Sequence, residues 1–143
     1  MATIGDVISE KGSDVVRIGQ ENTVFEAIRA MVDANCGALL VTEDDEIAGI
    51  ITERDYLRRI ALEGRTSKKT LVKEIMSAPV LYVEPSCDVE EALALMTDRR
   101  IRHLPVVADD SLKGIVSIGD LVRFQTKEQS FHIQYLEEYI SAR

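Results

Sequence analysis

Apolar positions along the 143-residue chain follow two spacings, and the order in which they occur repeats once. Short apolar runs at Asp14–Ile18 and Val80–Val83 predict strands. A turn and helix cap follow each, Glu21-Asn22-Thr23 and Ser86-Cys87-Asp88. Then come apolar residues at helical spacing: Val24, Ala27, Ile28 and Met31 first, Val89, Ala92, Leu93 and Met96 later. Buried-type strands are expected at Ala38–Thr42 and His103–Val107. Acidic turns, Glu43–Glu46 and Asp109–Ser111, join them as hairpins to Ala48–Ile51 and Lys113–Val116. Each third strand runs directly into a helix, so the predicted unit is β-α-β-β-α, in a mixed α/β (α+β) fold.

A shift of 65 positions superimposes the two copies. Gly49-Ile50-Ile51-Thr52-Glu53-Arg54-Asp55 falls on Gly114-Ile115-Val116-Ser117-Ile118-Gly119-Asp120. Leu39 and Val41 fall on Leu104 and Val106; Glu26, Ala27, Met31 and Asp33 fall on Glu91, Ala92, Met96 and Asp98. Upstream, Val7-Ile8 corresponds to Ile75-Met76, with a short length difference before the first strand. The expected organisation is a first repeat at 1–67, a second at 68–125 and a helical extension at 126–143. A half of this size buries little core alone, so the copies are expected to pack on each other. Glu63–Lys69 reads as a loop. The tail places Phe131, Tyr135, Leu136, Tyr139 and Ile140 at helical spacing, for contact with the body or with a second copy.

Charge narrows the partners. The formal net charge of −8 opposes nucleic acid and anionic membrane. No apolar run approaches the roughly 18 residues of a membrane span. The opening Met1–Asp6 lacks the basic and apolar stretches of a secretory signal. The expected location is cytoplasmic, or an organelle matrix if a transit peptide has been removed. Cys36 and Cys87 sit in no zinc-type cluster and are expected to be free thiols, with no metal site.

Two motifs carry candidate chemistry. Thr52-x-x-Asp55 and Ser117-x-x-Asp120 have capping-box spacing, the side chains satisfying free N–H groups at a helix start. The same arrangement suits a ligand: the helix start attracts phosphate, and the aspartate can accept both hydroxyls of a ribose. Arg99-Arg100-Ile101-Arg102-His103 reads either as a solvated basic corner after a helix or as an oxyanion site. Arg100, Arg102 and His103 are the phosphate candidates. The matching stretch of the first copy, Asn35-Cys36-Gly37-Ala38, has no cation, and Arg17 is the nearest in sequence. Neither His103 nor His132 belongs to a Ser/His/Asp or Cys/His arrangement, so no catalysis is expected.

The tandem β-α-β-β-α pattern, Gly-h-h-Ser/Thr-x-x-Asp and Arg99-Arg100-Ile101-Arg102-His103-Leu104-Pro105-Val106 together resemble the cystathionine-β-synthase (CBS) domain pair, or Bateman module. The resemblance spans about Ile4 to Phe124 and fits the stand-alone two-repeat type. It implies two repeats about a pseudo-two-fold axis, binding an adenosine ligand between them: AMP first, with ADP, ATP, NAD or S-adenosylmethionine as alternatives. It implies ribose contacts from Thr52, Asp55, Ser117 and Asp120, and phosphate contacts from Arg100, Arg102 and His103. It also implies an adenine environment from Ile51, Val83, Ile101 and Pro105, and in the second site from Arg17, Ile18, Cys36, Gly37, Ala38 and Val116. The implied protein is a non-catalytic sensor, a homodimer forming a four-repeat disc, that controls a separate protein. The alternative is a constitutive protein-interaction module with vestigial clefts.

Overall fold

The computed structural model describes residues 2–141, with side chains through residue 129. The chain forms two compact units. One comprises Asp14–Leu81; the other joins Met1–Ser13 to Tyr82–Arg143. Packing therefore groups the chain differently from the repeat period. The segment leading the first repeat packs with the second hairpin, and the segment leading the second repeat packs with the first.

In the central unit, β1 (Arg17–Gly19) pairs in parallel with β2 (Ala38–Glu43), which pairs antiparallel with β3 (Glu46–Thr52). Between β1 and β2 runs α2 (Val24–Ala34), started by a capping box of Thr23 and Glu26. Val24, Ala27 and Met31, one helical face, meet Leu39 and Val41 of β2 and Ile51 of β3. Ile60, Val72 and Ile75 complete this core. They come from the π-helical turn Leu57–Ala61, which continues the short α3 (Glu53–Tyr56), and from α4 (Val72–Ile75). Thr70 is the one buried polar residue among those described, its hydroxyl donating to the Thr66 carbonyl at 2.9 Å.

In the terminal unit, α1 (Ile4–Lys11) lies against β5 (Ser111–Ser117) and α6 (Ile118–Ser141). Its start is stitched in by backbone bonds: Ile4 N–H to Cys87 O at 2.8 Å and Gly5 N–H to Pro85 O at 2.9 Å. α5 (Val89–Arg99) precedes β4 (His103–Ala108), which pairs antiparallel with β5. The expected strand Val80–Val83 shrinks to one parallel bridge between Val83 and Val106. Pro85, two residues on, and Pro105 on the partner strand bring no N–H, so the rungs on either side of this bridge lack their donors, whereas the matching rungs of the first repeat form from Gln20 and Leu40. α6 extends the backbone helix through the tail; the side chains of Phe131, His132, Tyr135, Leu136, Tyr139 and Ile140 lie outside the described residues.

The two units repeat each other in backbone detail. Both hairpins turn on two aspartates in the left-handed region, Asp44 (φ 50°) with Asp45 (φ 65°) and Asp109 (φ 52°) with Asp110 (φ 59°). This fits the two-residue turn whose twist matches the strands, and aspartate tolerates the conformation better than most side chains. Both strand pairs slip register at equivalent points, between Val41 and Thr42 and between Val106 and Val107. α2 and α5 both end left-handed, on Asn35 (φ 52°) and Arg100 (φ 56°). Asparagine suits such a cap and arginine does not. Arg100→Asn is therefore expected to raise unfolding free energy by about 1 kcal/mol, read as an increased denaturant midpoint at unchanged slope.

Candidate functional site

Each Ser/Thr-x-x-Asp motif sits where a third strand becomes a helix. At the first, the Thr52 N–H donates to Asp55 Oδ2 at 2.9 Å and the Asp55 N–H donates to Thr52 Oγ1 at 3.2 Å. At the second, the Ser117 N–H donates to Asp120 Oδ2 at 2.8 Å and the Asp120 N–H donates to Ser117 Oγ at 3.0 Å. Both motifs are thus complete capping boxes. Capping uses the same Oδ2 in each, so what distinguishes the two carboxylates is their remaining partners.

Those partners differ in kind. Among the described residues, Asp55 Oδ1 takes one long hydrogen bond, from the Ser77 hydroxyl at 3.4 Å. Asp120 is held by two cations: Lys11 Nζ lies 2.6 Å from Oδ2, and Arg123 Nη2 lies 2.7 Å from Oδ1. Lys11 also donates to the Ile115 carbonyl at 2.6 Å, which fixes its ammonium over the end of β5. The Asp120 side chain is 12% exposed, against 33% for Lys11. Burial pushes the Asp120 pKa up. The Lys11 hydrogen bond, the Ser117 N–H and the Lys11 charge outweigh it and leave the carboxyl below its ordinary value.

A group depressed in this way stabilises the fold above its unfolded pKa and loses that contribution as pH falls through its folded pKa. Wild-type stability is therefore expected to decline as pH drops below about 4, the ordinary aspartate range. Asp120→Asn should flatten that part of the decline, as measured by denaturant unfolding between pH 5 and pH 3.

The other predicted residues occupy the strands beside these motifs. His103 pairs across the hairpin with Ser117, and the Arg102 carbonyl accepts from the Ile118 N–H at 2.9 Å. The basic stretch therefore lies next to the start of α6 within its own unit. Arg100 and Arg102 are exposed, and His103 and Ile101 are half-buried. Ala38 pairs with Thr52, and the Gly37 carbonyl accepts from the Glu53 N–H at 3.0 Å, an equivalent arrangement without cations. Arg17 and Ile18 lie on β1 opposite Leu40 and Val41. Ile51 and Val116 are fully buried, Val83 nearly so, and Pro105 is also buried.

Two cavities adjoin these residues, one in each unit. In the central unit a cavity of about 500 Å³ is lined by Met31, Val32, Cys36, Glu53, Tyr56 and Leu57 among others. In the terminal unit one of about 340 Å³ lies against Val7, Lys11, Asp120, Arg123, Phe124 and Lys127. Glu10 also lines it and pairs with Lys127. Cys87 is held in the thiol form: burial raises its pKa, and Glu91 and Asp88 add to the rise. Among the described residues, no group of three histidine, cysteine or acidic side chains is placed to hold a metal ion.

Sequence reasoning missed Lys11, Ser77 and Arg123. Arg123 follows Asp120 by three positions on a helix, a spacing that brings side chains together. Ser77 follows Met76, which the repeat aligns with Ile8, so the alignment marked its segment as an equivalent element. Lys11 carries no local signal, since 109 residues separate it from Asp120.

Two hairpin-and-helix units of the same element order, each with an aspartate capping the strand-to-helix junction, define a tandem-repeat protein. A CBS-domain model matches residues 4–62 and again 72–127, and the chain belongs to the CBS-domain family. It is 44% identical to the mitochondrial CBS domain-containing protein CBSX3 of Arabidopsis thaliana, over 96% of this chain and 71% of that one. It is 33% identical to the CBS domain-containing protein YhcV of Bacillus subtilis, over 91% of this chain and 90% of that one. Among solved structures, a CBS-domain protein of Burkholderia ambifaria, described as acting in signal transduction, matches with TM-score 0.86 and 44% identity. That match covers 90% of this chain and 96% of the other. CBS domains bind adenosine-containing ligands in regulatory roles, and among the described residues no helix is long and apolar enough to cross a membrane.

Proposed function

We propose that the chain is a non-catalytic adenine-nucleotide sensor that acts on a separate protein. The observation that supports this best is the state of Asp55. It is half-buried and ordered by its capping box, yet among the described residues Oδ1 has only a weak hydroxyl partner, which leaves acceptor capacity for ribose hydroxyls. Asp120 offers a second carboxylate of the same local geometry. Arg102, with Arg100 and His103 beside it, supplies phosphate contacts, and AMP is the first candidate ligand because so short a basic stretch matches one or two phosphates. Assembly into a homodimer is supported by exposed apolar side chains in the central unit, where Val32 is 73% and Leu62 83% exposed. A cytoplasmic or organelle-matrix location agrees with the two free thiols and with the mitochondrial plant relative.

Thermal unfolding with AMP, ADP, ATP, NAD and S-adenosylmethionine, each near millimolar, tests this reading. A ligand present at a hundred times its dissociation constant adds about 2.7 kcal/mol, several degrees in a chain of this size. The shift should vanish in the Asp55→Ala, Arg102→Ala double variant. No shift with any of the five ligands would favour the constitutive interaction module.

A further inference from the structure

We propose that Lys11 sets the specificity of the Asp120 site, closing it to uncharged nucleosides and opening it to ligands that carry a phosphate. The inference rests on the reading of Asp55 and Asp120 as ribose-binding carboxylates and makes them inequivalent. Lys11 Nζ holds Asp120 Oδ2 at 2.6 Å and Arg123 Nη2 holds Oδ1 at 2.7 Å. Arg123 is 74% exposed and largely solvated, so Lys11, 33% exposed, is the cation that loses most when the carboxylate is taken. Among the described residues, Asp55 Oδ1 holds only the Ser77 hydroxyl at 3.4 Å. A ribose hydroxyl reaching Asp55 replaces one neutral hydrogen bond with another. At Asp120 the hydroxyl must replace a charge-assisted bond, roughly twice as strong as a neutral one, and leave an ammonium without its anion. A nucleoside has nothing to offer that ammonium. A nucleotide has: its phosphate can take over Lys11 as the ribose takes over the carboxylate.

The surroundings favour this exchange. The cavity of about 340 Å³ beside the pair is bordered by three cations, Lys11, Arg123 and Lys127, against two acids, Asp120 and Glu10. Removing Asp120 from its cations leaves positive charge facing that space. Lys11 is attached at the last residue of α1 and is anchored by the Ile115 carbonyl, so its ammonium stays near the site when the carboxylate is released. A ligand shifts such an equilibrium only through its different affinity for the two arrangements, and the phosphate supplies that difference.

Calorimetric titration of the full chain with AMP and with adenosine tests the inference, in an Asp55→Ala background that leaves Asp120 as the remaining carboxylate. AMP is expected to bind at least about tenfold more tightly than adenosine, as a charge-assisted contact would give. Adding Lys11→Met should bring the two affinities within about threefold, chiefly by strengthening adenosine. Lys11→Arg, which keeps the cation, should preserve the preference and serves as the check that α1 remains docked. An unchanged AMP-to-adenosine ratio in Lys11→Met overturns the proposal. So does the absence of any binding in the Asp55→Ala chains while wild type binds AMP, a result that leaves the Asp55 reading intact. If wild type binds neither compound, the ribose reading falls. The Lys11 inference falls with it unless Lys11→Met alone gains adenosine binding, which would support it directly.

Discussion

Replacing Ile51 with alanine should cost about 2–5 kcal/mol of stability with no ligand present. Ile51 is fully buried and belongs to the core formed by Val24, Ala27, Met31, Leu39 and Val41. It pairs with Leu39 across the β2–β3 ladder, so the two inward-facing side chains meet on one surface of the sheet. Truncation removes apolar area from the interior and leaves a cavity that the hairpin backbone cannot close, and both effects destabilise. The expected result is a large fall in denaturant midpoint for the nucleotide-free protein. The resemblance gave Ile51 a different part, as a wall of the adenine pocket. A residue with only that part would leave unliganded stability nearly unchanged and would instead weaken the ligand-induced shift. Chemical denaturation with and without AMP separates the two roles. A loss below about 0.5 kcal/mol without ligand, the range of surface substitutions, would show that the core assignment is wrong.

The difference between these parts indicates what the sequence could and could not convey. Periodicity located α2, α5 and both hairpins because each is decided by residues near one another: a 3.6-residue stripe, a two-aspartate turn, an alternating strand. The register of the repeat carried further, since the equivalence of Val7-Ile8 with Ile75-Met76 has a spatial counterpart. Ile8 approaches Gly114 in one unit as Met76 approaches Gly49 in the other. The strand expected at Val80–Val83 is reduced to a bridge because apolar composition is only half of a strand, and Pro85 and Pro105 withhold the donors of the adjoining rungs. Ser/Thr-x-x-Asp was legible as a capping box, and the structure contains both boxes, but their asymmetry was not legible. It depends on Lys11, whose partner is distant in sequence, and on α1 packing in the unit of the second repeat. Local pattern cannot report which element will be brought to a carboxylate by tertiary packing. Nor could it show that Arg100, one of the phosphate candidates, must also serve as a left-handed helix cap.

Gly49 and Gly114 head the same motif, yet alanine at the two positions should have unequal consequences. A Cβ on Gly49 would lie 2.8 Å from the Ser77 carbonyl oxygen and 2.8 Å from the Met76 sulfur. The carbonyl cannot swing aside. Ser77 and Ile50 exchange backbone hydrogen bonds, at 2.9 Å and 3.0 Å, so moving Ser77 breaks the bridge that fastens the 76–77 segment to β3. Gly49→Ala should therefore cost about 3 kcal/mol, the upper part of the usual overpacking range. At Gly114 the obstacle is Ile8 Cδ1 at 2.7 Å, the end of a side chain that can change rotamer. Gly114→Ala should cost about 1 kcal/mol. Equilibrium unfolding of the two variants side by side gives the comparison directly. Equal losses would mean that α1 holds Ile8 as firmly as the bridge holds Ser77. The larger loss at Gly49 would instead show that the glycine of this motif is required by backbone approach. The same displacement of Ser77 would remove its hydroxyl from Asp55 Oδ1, so Gly49→Ala should also disturb nucleotide binding at that carboxylate.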